Sequence, residues 1–89
     1  MHHELKIHRP FFEAVASGDK TFEIRNNRDR GFQRGDTFEL QELNPDFPSL
    51  YSGRSISGTI TYVINYEQKP DYVVFAFRLD EASKEVGHE

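Results

Sequence analysis

Lys20, Glu23 and Arg25 fall within the eight residues Gly18-Asp19-Lys20-Thr21-Phe22-Glu23-Ile24-Arg25. Lys20 follows a glycine suited to ending a helix, where the chain can turn and aim a long cation into a cleft. Helix C-terminal carbonyls favour positive charge, so a phosphate-holding role suits it. As a nucleophile or base it would have to be neutral, which Arg25 nearby promotes and Glu23 opposes. Glu23 and Arg25 are two apart, so in a strand they share a face and either pair or line one pocket. An exposed pair of this kind is worth under about 1 kcal/mol. Lys20 has the opposite strand parity and joins them only if the turn at Gly18 breaks the alternation. Arg25 can equally anchor a barrel through backbone carbonyls.

The basic character continues downstream. Lys20 to Arg34 carries five basic residues (Lys20, Arg25, Arg28, Arg30 and Arg34) against Glu23 and Asp29. Guanidinium forks match phosphate, and Phe32 among them either stacks on a base or plugs the core. His2, His3 and His8 raise the question of a metal, but His3 and His8 differ in strand parity and no acidic third ligand is indicated. Neither a metal nor a cofactor is expected. Tyr62, Tyr66 and Tyr72 read as core or rim residues able to offer a hydroxyl to a cleft. No phosphate-binding glycine loop, dinucleotide fingerprint or nucleophile elbow occurs.

The elements that must position these groups are short. Glu4 to His8 alternates with Leu5 and Ile7 inward, predicting a first strand. Pro10 suits a helix start, Phe11, Phe12, Val15 and Ala16 form one helical stripe, and Gly18 suits the left-handed position at its end. Thr21 to Asn26 alternates again, with Phe22 and Ile24 on one face. Asn26 to Arg34 is a polar loop, Gly35-Asp36 a turn, and Thr37 to Leu43 a third strand. Asn44 to Arg54 reads as a loop or wide hairpin. Ser55 to Ile64 predicts a strand with Ile56, Gly58, Ile60, Tyr62 and Ile64 on one face, Gly58 allowing a bulge or bend. Tyr72 to Leu79 is apolar on both faces, as a central strand would be. Five strands and one early helix give an α+β, mainly β, small barrel.

The 89 residues suffice for one small domain. With 36% hydrophobic and 29% charged residues, eight Phe and four Tyr, the composition is that of a globular chain. The absence of cysteine excludes disulfides, thiolate metal sites and cysteine nucleophiles. No signal peptide or spanning segment is evident, so a cytoplasmic protein with no membrane partner is expected. Net charge is −4, of which Asp80 to Glu89 contributes −3 through four acids and one lysine. The organisation expected is therefore a domain over residues 1–79 and an acidic, flexible tail over 80–89.

The segment from Gly18 to Arg25 fits G-x-K-x-x-E-x-R and resembles the signature of the ASCH domain, a relative of the PUA fold. His3-Glu4-Leu5-Lys6-Ile7, Arg30-Gly31-Phe32-Gln33-Arg34-Gly35-Asp36, Tyr51-Ser52-Gly53-Arg54 and Lys69-Pro70-Asp71-Tyr72-Val73-Val74 extend the likeness. In that order they resemble the short bacterial and phage group called DUF3850, over residues 3–79. The resemblance implies a PUA-like β-barrel with a helix beside a cleft lined by the motif residues. It also implies an RNA- or nucleotide-binding module, with Lys20, Glu23, Arg25, Arg28, Arg30 and Arg34 as ligand-binding residues. Cations would hold phosphate, and Glu23 would accept from a base amino group or orient Arg25. A second reading is a metal-independent hydrolase acting on a modified nucleoside or RNA through Lys20 and Glu23. Hydrolase-type ASCH proteins carry threonine three residues after the lysine, where this chain has Glu23. A third is a protein-interaction domain, favoured if Phe11 or Phe47 forms an exposed apolar patch.

Overall fold

The computed structural model describes residues 1–80. The expected acidic tail lies, beyond Asp80, outside the described residues. The elements are β1 (His2–Ile7), α1 (Arg9–Ala16), β2 (Phe22–Asn26), β3 (Thr37–Leu43), β4 (Tyr51–Ile64) and β5 (Tyr72–Leu79). All five strands join one sheet in the order β1-β3-β4-β5-β2, with β1 parallel to β3 and the other pairs antiparallel. β5 lies between β4 and β2, in keeping with its apolar sequence. No helix among the described residues is long and apolar enough to cross a membrane.

The sheet curls into a half-barrel, and one hydrogen bond shows how far. In a flat sheet, four strand spacings of about 4.8 Å would hold the two edge strands roughly 19 Å apart, beyond an arginine's reach. Yet Arg25 on β2 donates to the Lys6 carbonyl on β1 at 2.8 Å. The concave face holds the core, built on Phe38, Leu40, Ile60 and Phe75. Helix α1 lays Phe12 and Val15 into it, as their spacing of three dictates. Phe32 is buried with its ring 4.6 Å from His3 and 5.0 Å from Phe75, so it plugs the core.

Two features of β4 differ from expectation. The strand begins at Tyr51, and the Asn44 side chain tightens the preceding turn by accepting from the N–H groups of Asp46 and Phe47. Its alternation also breaks late. Ile60 pairs with Phe77 but Tyr62 with Ala76, so one extra residue bulges between them. Ile56, Gly58 and Ile60 therefore point inward, while Tyr62 and Ile64 turn outward and Val63 packs on the core. Gly58 serves close approach instead of a bulge. A Cβ there would lie 2.4 Å from the Arg78 carbonyl oxygen and 2.8 Å from the Phe38 ring.

Two buried carboxylates bind these elements together. Glu42 accepts from Arg9 of α1 at 3.0 Å, from Arg54 of β4 at 2.9 and 2.7 Å, and from the Ser52 hydroxyl at 2.6 Å. The Arg54 hydrogen bonds outweigh burial and hold the Glu42 carboxyl at about 2. Asp36 meets the His3 ring at 2.8 Å and accepts from the Gln33 N–H and the Met1 amine. Burial acts to raise its pKa, but these contacts together keep it below the usual carboxylate range.

Candidate functional site

The motif residues meet at the seam between the half-barrel's two edges. Helix α1 ends as its sequence predicts: Gly18 adopts a left-handed φ of 88°, and the Lys20 N–H donates back to the Ala14 carbonyl at 2.9 Å. That turn resets the parity, because β2 starts only at Phe22. Within β2 it is Glu23 and Arg25 that turn inward, whereas Phe22 and Ile24 are exposed. An acid thus takes the core-facing position of the strand.

Glu23 is only 3% exposed. Lys20 Nζ donates to Oε2 of Glu23, and Arg25 donates to Oε1 through Nε at 3.1 Å and Nη2 at 3.0 Å. Such burial takes the pair out of the weak, solvent-screened class, since a carboxylate stripped of water needs its cationic partners. The Lys20 ammonium also lies 5.3 Å from the Phe11 ring centroid and 5.4 Å from that of Phe22, within cation–π range. Arg25 does what either sequence reading allowed: it pairs with Glu23 and bridges the seam to Lys6.

These side chains border an open cleft of about 420 Å³, walled by Lys6, Ile7 and His8 from the end of β1, Phe11 of α1, and Ile24 of β2. The trio carries formally one positive charge in excess. An anion entering here meets two fixed cations beside an apolar wall. Sequence reasoning missed the roles of Lys6, Ile7, His8 and Ile24. These are set by curling of the sheet, which brings β1 and β2 together across 19 residues of chain.

The structure does not gather the other basic residues into this cleft. Arg28 pairs with Asp71 at 2.6 Å, and Arg30 and Arg34 are exposed in the loop between β2 and β3; none lines the cleft. Tyr62, Tyr66 and Tyr72 are exposed and none lines the cleft, Tyr66 sitting in the turn before β5. Phe11 and Phe47 are both exposed, Phe11 beside the cleft and Phe47 in the turn between β3 and β4. His3 has the acidic neighbour that the sequence did not indicate, Asp36, while the His2 ring meets the Thr37 hydroxyl at 2.7 Å.

Comparison with known families bears on the same residues. The profile of a domain of unknown function, DUF3850, matches residues 2–77. The chain belongs to the DUF3850 family. It is also 36% identical over 73 residues to an uncharacterized 12.9 kDa protein encoded in the GpA 3′ region of Escherichia phage P2. The match covers 81% of this chain and 63% of the relative, so the chain spans under two thirds of that protein. The DUF3850 match contains every residue of the cleft and both buried carboxylates outside it.

Proposed function

We propose that this DUF3850 chain is a PUA-like, ASCH-type module that binds RNA or a nucleotide at the seam, with Lys20 and Arg25 holding phosphate. The observation that carries this reading is the shared carboxylate. Glu23 fixes both cations in place before any ligand arrives, which reduces the ordering cost of binding. Phe11 and Ile24 add an apolar wall against which a base can lie. The convergence of the G-x-K-x-x-E-x-R side chains and the mainly β half-barrel are what an ASCH assignment would require.

The same geometry favours binding over hydrolysis. Both Glu23 oxygens already accept from cations, whereas the Lys20 ammonium has three N–H donors and gives one to Glu23, so the site keeps donors for an anion.

Binding led by phosphate is salt-dependent. Two cations neutralising two phosphates of a single strand give a slope near −1.4 for log affinity against log salt. Fourfold more salt should then weaken a short single-stranded RNA roughly sevenfold in a fluorescence titration. A flat response would exclude phosphate-led recognition.

A further inference from the structure

The convex face of the sheet is divided in two. Over β1, β3 and the first part of β4 it is polar: Glu4, Lys6, Thr37, Glu39, Ser55 and Ser57 alternate with core residues. Over the other half it is apolar. Phe22, Ala76 and Tyr62 form one cross-strand row, and Ile24, Val74 and Ile64 the next. The bulge between Ile60 and Tyr62 creates this half by turning two apolar side chains of β4 outward. No element among the described residues covers it, and Tyr62 and Ile24 are 58% and 53% exposed.

We infer that this apolar half-face is a base-stacking platform for a single-stranded nucleic acid whose phosphate is held in the adjoining cleft. The inference rests on the proposed function and extends it: the ligand is a strand of several nucleotides, not a lone nucleotide. Three observations select that occupant. The first is continuity, since β2 serves both surfaces: Ile24 lines the cleft and belongs to the face, and the Lys20 ammonium sits against the Phe22 ring. The second is charge. The exposed Arg78 follows Ala76 on the same face of β5, so Lys20 and Arg78 flank the platform on the side where Phe22 lies, and both border one depression of about 380 Å³. A backbone of phosphates finds cations beside rings, the combination that single-strand binders use.

The third is area. Three strands about 4.8 Å apart and three rows about 6.8 Å apart, the last holding Tyr72 beside Asn26, give a footprint on the order of 300 Å². A stable protein interface needs roughly 800 Å² from each partner, so a second copy is poorly served by this patch. Two or three stacked bases fit it, as they fit the aromatic sheet faces of other single-strand binders.

The test uses the full chain with a hexanucleotide single-stranded RNA and with uridine monophosphate. Tyr62→Ala should weaken hexanucleotide binding roughly tenfold, the scale of one lost aromatic–base stack, and leave the mononucleotide affinity unchanged. Tyr62→Phe, which keeps the ring, should bind like the wild type. If mononucleotide binds but Tyr62→Ala does not alter hexanucleotide affinity, the platform is refuted and the cleft stands. If neither ligand binds the wild type, the cleft fails and the platform with it. A wild-type dimer in sedimentation that Tyr62→Ala converts to monomer would also overturn the inference, making the face an interface between copies.

Discussion

Glu42→Gln should lower the stability of this domain by about 3 kcal/mol at neutral pH, a large share of what a chain this size possesses. Glu42 is fully buried, and its carboxylate ties α1, β3 and β4 together through Arg9, Ser52 and Arg54. The Arg54 hydrogen bonds, with those of Arg9 and Ser52, move its pKa from 4.5 to about 2 against the opposing effect of burial. At about 1.4 kcal/mol per pH unit, that shift corresponds to about 3 kcal/mol of stability. The sign follows from linkage. A depressed carboxylate stabilises the fold fully above its unfolded value and loses that contribution as pH falls through the folded one. The stability gap between wild type and Glu42→Gln should therefore be constant above about pH 5 and narrow as pH falls toward 2. In thermal melts at pH 7 the gap should reach roughly 12–24 °C for a domain of this size. A gap that does not change down to pH 2 would show that shape, not charge, is what Glu42 contributes.

Lys20→Ala and Arg25→Ala should each weaken binding of a short single-stranded RNA by roughly 10- to 100-fold, the range for losing one charge-assisted hydrogen-bond donor. Their effects on the fold should differ from that of Glu42→Gln. Each single variant leaves Glu23 one cation, so the buried carboxylate stays compensated. Lys20→Ala should melt near the wild type. Arg25→Ala also removes the bond to the Lys6 carbonyl across the seam and should melt a few degrees lower. The double variant strands a buried charge and should lose about 3–5 kcal/mol. Affinity measured by fluorescence titration, beside melting curves, separates these effects. Full RNA affinity in Lys20→Ala would remove that residue from the site, and collapse of the fold in Arg25→Ala alone would make it structural.

Most of the secondary structure was legible because period-2 and helical spacing are local. Thr37–Leu43 and Tyr72–Leu79 read directly as strands, and Gly18 as the helix end. Parity puts Glu23 and Arg25 on one face, where they can pair or line a pocket, and Lys20 joins them through the turn at Gly18, which the structure supplies. What escaped was set by partners distant in sequence. Outward-facing Tyr62 and Ile64 depend on a bulge that only the register against β5 reveals. Glu42 looked like any acid in an alternating strand, because its guanidinium partners come from 33 residues upstream and 12 downstream. Arg28, Arg30 and Arg34 looked like one basic stretch with Lys20 and Arg25. The sequence does not reveal that β2 carries the chain away from the cleft before they occur.

The central claim, that the seam is a phosphate-holding nucleic-acid site, is tested most directly by an amide chemical-shift titration of the full chain with a short single-stranded RNA. Saturable shifts are expected at Lys6 to Phe11 and Lys20 to Arg25, whether or not they extend to the outer face of β4 and β5, and in Lys20→Ala they should need roughly 10- to 100-fold more RNA. Shifts confined to the loop from Arg28 to Arg34, or none at millimolar RNA, would contradict it.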